Sequence, residues 1–231
     1  MTMTPEEDDA DRLLAHFDKL GLAPSPDTPG WQHMGAVLSD ATLAIHAHWA
    51  STVEPRVRRL KEEWPDAHTV SGFTARIRSD DPSLSAVLRS LSAVLHWRED
   101  AKKLALLLNL IKTMEDRQIE TVADLLSQLT GEHSKEVRAA LRNIHGVGPK
   151  TVDYLAILAG SKDHVAIDVH MQSFAAEAGV SDTSYQALRG AMITAARRRG
   201  WSPAAFDSAI WTHMSSRGGG SSVPARPACE A

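Results

Sequence analysis

Two short segments hold the groups that could do chemistry. The first is Leu141–Leu155, LRNIHGVGPKTVDYL. Its glycines, Gly146 and Gly148, let the backbone come close to a ligand with no Cβ in the way. Pro149 has a fixed φ that suits the first turn of a helix, where its missing N–H is no loss. The helix that follows then offers unpaired N–H groups and the positive end of its dipole. A glycine turn feeding such a helix is a site for a phosphate. Val147, between the glycines, is placed to plug apolar surface between the two helices. Lys150 and Thr151 lie in the first turn, and on this ground alone Lys150 reads as a phosphate contact. Gly146-Val147-Gly148 by itself also fits an ordinary turn between helices. The second segment is Val165-Ala166-Ile167-Asp168-Val169-His170-Met171. Its apolar run delivers Asp168 to the start of a helix, where a carboxylate accepts from free N–H groups. Capping is by itself a sufficient account of that acid.

The elements around these segments read as helices. Apolar residues Leu13, Leu14, Phe17 and Leu20 give residues 8–20 one apolar face. Leu22–Gly30, with three prolines, reads as a linker. Residues 31–49, WQHMGAVLSDATLAIHAHW, read as one long helical pattern. Pro55 suits the first turn of a helix running to Glu63, and Pro65 stops it. A short helix is expected over Thr69–Ile77, a turn and cap at Asp80-Asp81-Pro82-Ser83, and a helix with a 3.6 period after it. Further helices are expected over 99–115, 120–129, 134–143, 149–160, 168–178, 183–199 and 203–214. Val165–Ile167 is too short to anchor a sheet. The fold class is therefore all-α, with about ten short helices. Four regions follow: an acidic helix and linker over 1–30, a helical bundle over 31–160 ending in the hairpin at 135–160, C-terminal helices over 161–216 packing with the N-terminal segment, and a Gly/Pro/Ser-rich tail over 217–231 expected to be disordered.

Composition excludes several functions. The only cysteine is Cys229, so no disulfide forms within the chain. A four-thiolate iron–sulfur cluster and a cysteine zinc site are excluded for the same reason. The usage fits a reducing cytoplasm. The acidic start has no apolar run and does not read as a signal peptide. No stretch approaches the roughly 20 apolar residues that cross a bilayer. The net charge of −4 argues against bulk attraction to nucleic acid. Residues 1–30 hold seven acids and two bases, so a net of −5 sits there and the remainder is near neutral at +1. Any DNA grip must use local placement and main-chain donors. Eleven histidines invite a metal, but His46 and His48 are two apart and do not face one site on a helix, and His33 has no partner motif. No zinc is expected. Arg197-Arg198-Arg199 suits a helix C-terminus, and Arg56, Arg58 and Arg59 read as a solvated face. Trp201, Phe206, Ile210 and Trp211 read as packing.

The order GVGPKTVDYL, then about ten residues, then VAIDVHM, resembles the helix–hairpin–helix/Gly-Pro-Asp superfamily of base-excision DNA glycosylases. The likeness is to the branch of 8-oxoguanine glycosylase and endonuclease III, whose motif runs L-P-G-V-G-x-K-x-A and then V-D-x-H. Outside these segments the chain from about Trp31 to Met214 is similar only in its helix pattern. The resemblance implies two helical subdomains flanking a DNA-binding cleft. It implies that Lys150 is a nucleophile whose neutral amine attacks the sugar C1′, giving a Schiff base that favours β-elimination. It implies that Asp168 stabilises the cationic sugar of the transition state. Gly146, Val147, Gly148, Thr151 and His170 are then DNA contacts, His170 near the flipped nucleotide's phosphate. Main-chain carbonyls of Arg142, Ile144 and Val147 are implied to hold a structural K⁺ or Na⁺. No other cofactor is required.

Tyr154 lies four residues after Lys150, on the same helix face, and offers a flat wall for a flipped base; packing is the competing account. Ser39–Leu43 falls where the family fills the gap left by that base, often with Gln or Asn. Here the polar candidates are Asp40 and Thr42. His145 replaces the proline that commonly precedes the first glycine. The partner implied is double-stranded DNA with a damaged or modified base, met by a monomer in the cytoplasm, at a bacterial nucleoid, with no membrane role. The competing functions are a non-catalytic helix–hairpin–helix DNA-binding module and a monofunctional glycosylase that uses water.

Overall fold

The computed structural model describes residues 4–45, 47–78, 83–96 and 101–217. Among the described residues the chain is all-α, with twelve α-helices and no strand. They are α1 (Pro5–Lys19), α2 (Met34–Leu43), α3 (Glu54–Glu63), α4 (Val70–Arg78), α5 (Leu84–Leu95), α6 (Ala101–Asp116), α7 (Val122–Thr130), α8 (Ser134–Arg142), α9 (Pro149–Leu158), α10 (Val169–Glu177), α11 (Tyr185–Arg198) and α12 (Pro203–Arg217). A π-helical turn, Trp49–Val53, precedes α3, and a 3₁₀ turn, Pro65–His68, follows it. Residues 80–82 of the expected turn and cap, His46, and the tail beyond Arg217 lie outside the described residues; Ser83 does cap α5.

The single long helix expected over 31–49 is broken. His33 caps α2, which stops at Leu43, and Trp49 enters the π-helical turn. The cause is a pair of contacts nine residues to either side of Asp40. The indole N–H groups of Trp31 and Trp49 both donate to its carboxylate, at 3.0 Å and 3.2 Å. On one continuous helix each indole would sit about 13 Å along the axis from Asp40. Both breaks bring the rings back.

The chain divides into two compact units, one of residues 30–160 and one of 4–29 with 161–217. In the central unit, α2 is the axis: all ten of its residues are buried. MGAVLSDATL is small and apolar nearly all round, the pattern of a helix with no solvent face. It packs against α3, α4, α6 and α9. Gly30 seals the unit's start against its end. Trp31 N–H donates to the Leu158 carbonyl at 2.8 Å. Gly30 sits at φ +73°, and a Cβ there would lie 2.4 Å from the Leu158 oxygen, so only glycine fits.

In the terminal unit, α1 packs on α11, and α12 packs on α10 and α11. Thr4 and Glu7 form a capping box that starts α1. Phe17, Phe206 and Trp201 cluster beneath it. The acids of α1 are engaged. Arg198 pairs with Asp11, Arg199 pairs with Asp18, and Thr194 donates to Glu6 at 2.8 Å. Arg197 reaches Asp163 at 3.7 Å. The arginine triplet sits at the C-terminus of α11, as expected, and from there ties α1 and a loop to that helix. The expected linker is docked as well: Ser25 N–H donates to the Ala205 carbonyl, and Asp27 meets Ser202 and Lys162.

Candidate functional site

The turn between α8 and α9 is tight and exposed. Ile144 N–H donates to the Leu141 carbonyl at 3.1 Å, and Val147 N–H to the Ile144 carbonyl at 3.0 Å. Gly146, at φ +90°, takes the conformation that L side chains avoid. Ile144 and Val147 turn inward and are buried, while Arg142, Asn143, His145 and Gly146 are exposed. Gly148 is extended and Pro149 opens α9 with no side-chain cap. No atom lies within 4 Å of where a Cβ would stand on Gly146 or Gly148. An ion pair from Arg138 to Asp153, an acid only 1% exposed, clamps α8 to α9. The result is a rigid helix N-terminus beside open space, which suits an anion. Thr151 is buried at the start of α9. Among the carbonyls expected around a monovalent cation, that of Ile144 already accepts the Val147 N–H. Among the described residues, no group of three or more His, Cys, Asp or Glu side chains could hold a metal ion.

Lys150 is half-buried in the first turn of α9, with Nζ 5.2 Å from the centroid of the Tyr154 ring. That is a cation–π distance. Tyr154 is 2% exposed, and its hydroxyl donates to Asp40 Oδ1 at 2.8 Å. So Tyr154 is an interior ring under an ammonium, not an exposed wall. Asp40 and Thr42 are both fully buried. Thr42 donates to the Leu38 carbonyl at 2.7 Å, closing its hydroxyl onto its own helix. Neither is placed to fill a gap in DNA. Both stand on a helix whose every face is covered, and they are satisfied within it.

The other segment belongs to the terminal unit. Asp168 is the N-cap of α10: its Oδ1 accepts from His170 N at 2.9 Å and Met171 N at 3.1 Å. Its Oδ2 accepts no hydrogen bond from the described residues. Asp168 is half-buried, and the two bonds to Oδ1 fix the direction of its carboxylate. His170 stands edge-on to Trp211, with ring centroids 6.2 Å apart. Val169, between Asp168 and His170 in the sequence, is 69% exposed, the one large apolar side chain so exposed among the described residues.

The structure therefore groups Gly146, Val147, Gly148, Lys150 and Thr151 at one helix start, connects Lys150 through Tyr154 to Asp40, and groups Asp168 with His170 on the other unit. Trp31 and Trp49 escaped sequence reasoning. Each stands nine residues from Asp40 with no periodicity to join them to it. Val169 escaped too, although an apolar residue in the first turn after a cap was there to be read.

No curated protein and no solved structure matches the chain. A family model described as a domain of unknown function, DUF8548, matches residues 9–215. The central unit, most of the terminal unit, the α8–α9 turn and the Asp168 cap fall inside that span, and the chain belongs to the DUF8548 family.

Proposed function

We propose that this protein is a base-excision DNA glycosylase with lyase activity, acting on a damaged or modified base in duplex DNA. The observation that carries the reading is the start of α9. A two-glycine turn exposes an uncapped helix N-terminus, and the lysine in its first turn is the residue the glycosylase motif requires. In this reading α8, the turn and α9 form a helix–hairpin–helix that grips the DNA backbone through main-chain N–H groups and reads no sequence. K⁺ or Na⁺ on the carbonyls of Arg142, Ile144 and Val147 would stiffen the turn.

The chemistry follows from the side chains. The neutral amine of Lys150 attacks C1′ of the extruded nucleotide. The glycosidic bond breaks, and the base leaves with its electron pair and takes up a proton. Loss of a proton from nitrogen and ring opening give a Schiff base, which acidifies the 2′ position for β-elimination of the 3′ phosphate. Asp168 opposes the positive charge that develops on the sugar. Its fixed orientation on the α10 N-terminus is a preorganised charge of the kind that lowers a barrier.

The test is base release from duplex oligonucleotides carrying a panel of modified bases, with Asp168→Asn as the variant. Asparagine caps helices about as well as aspartate, so the fold is kept while the charge is lost. Release slower by about 10²–10³ at unchanged stability supports the glycosylase reading. A second reading, a DNA-binding module without chemistry, is favoured by one observation: Asp168 already has a structural role as a cap. It predicts DNA binding without base release from any member of the panel.

A further inference from the structure

We infer that Asp40 is a positioning residue for Lys150, acting through the Tyr154 ring. Asp40 is fully buried, and four donor contacts reach its carboxylate: Trp31 Nε1 to Oδ2, Trp49 Nε1 to both oxygens, and the Tyr154 hydroxyl to Oδ1. The indole and phenol groups of Trp31, Trp49 and Tyr154 are neutral donors. Burying a carboxylate is costly, and an apolar residue would fill a helix axis at less expense. What the carboxylate adds is a fixed acceptor that orients three aromatic rings.

Two of those rings have an ammonium over them. Lys150 Nζ lies 5.2 Å from the Tyr154 centroid, and Lys61 Nζ lies 5.4 Å from the Trp31 centroid. A ring attracts a cation through its negative face. A ring whose O–H or N–H donates to an anion is polarised further in that direction, because hydrogen-bonded groups polarise one another. Tyr154 and Lys150 stand one turn apart on α9, so the tilt of the ring sets where the amine rests. Asp40 sets that tilt from α2. The amine is thereby held against the ring until something displaces it. The importance of this latch for catalysis rests on the glycosylase reading; its geometry does not.

The test uses the full chain without DNA. Lysines are labelled with trace acetic anhydride near pH 8, and each site is read by peptide mass spectrometry. Asp40→Asn keeps the shape and removes the charge. It is expected to raise labelling of both Lys150 and Lys61 about threefold, the scale of an exposed cation–π contact. Tyr154→Phe keeps the ring and cuts its bond to Asp40, so labelling rises at Lys150 alone. In the Tyr154→Phe background, Asp40→Asn adds nothing at Lys150 and still raises Lys61, because coupled residues are non-additive. The inference is overturned by unchanged Lys150 labelling in both single variants. It is also overturned by a rise shared with the surface lysine Lys112, which reports general loosening, or by a full Asp40 effect persisting without the Tyr154 hydroxyl. If Asp40→Asn does not fold, Tyr154→Phe decides on its own: a rise at Lys150 with Lys61 unchanged supports the latch, and no rise ends it. With no DNA present, a failure here is distinct from a failure of the glycosylase reading.

Discussion

Tyr154 donates its phenolic hydrogen to Asp40 at 2.8 Å, joining α9 to α2 across 114 residues of sequence. The helix that starts at the exposed glycine turn is thus anchored, one turn further in, to the buried axis of the central unit. A rigid helix N-terminus is what an anion site needs, because its N–H groups must not reorganise on binding.

That anchor makes Asp40 a stability hot spot. Asp40→Ala removes the acceptor from three buried donors at once, each costing about 1–3 kcal/mol when stranded. The expected loss is about 3 kcal/mol or more, read from urea unfolding. Tyr154→Phe removes one donor while the Trp31 and Trp49 indoles still reach Asp40, so a loss of about 1 kcal/mol is expected. A near-neutral Asp40→Ala would show that the cluster contributes little to the fold.

Gly30 offers a backbone test. With φ at +73° and the Leu158 oxygen 2.4 Å from a would-be Cβ, alanine there must both strain the backbone and push the chain ends of the central unit apart. Gly30→Ala is expected to cost about 2–3 kcal/mol. Gly148→Ala meets no atom and is extended, so its cost should be a few tenths of a kcal/mol, while any loss of DNA affinity there reports the close approach of a ligand.

His33 gives the fold a pH dependence. Its Nδ1 accepts from Ala36 N and its Nε2 donates to the Trp64 carbonyl, so the buried ring is neutral. Burial pushes its pKa below the ordinary 6.5, against the pull of the Trp64 carbonyl and aided by the charge of Lys61. The unfolded chain therefore binds a proton first as pH falls. Stability is full above pH 6.5 and declines below it, until the folded-state pKa is passed. Thermal unfolding between pH 8 and pH 5 should show this fall, and His33→Gln should flatten it. A slope unchanged in the variant would assign it to another group.

The helices were legible because their signals are local: apolar periods, prolines at first turns, and Gly131 closing α7. The α8–α9 turn was legible for the same reason, since Gly146, Gly148 and Pro149 dictate it with little outside help. The break inside residues 31–49 was not, because it depends on two indoles converging on one carboxylate. The acidic start reads in sequence only as charge. Its pairing with Arg198 and Arg199 spans 187 and 181 residues, and no local pattern announces it. Asp40 and Thr42 read as polar residues that should face outward. α2 covers them on every side, and satisfaction within the core replaced exposure.

The central claim is that the amine of Lys150 forms a covalent bond to the sugar. Borohydride reduction of the protein mixed with duplex DNA bearing an abasic site or a modified base tests it most directly. The account predicts a protein–DNA adduct that maps to Lys150 and is lost in Lys150→Ala. No adduct across the panel, or an adduct that persists in Lys150→Ala, would contradict it.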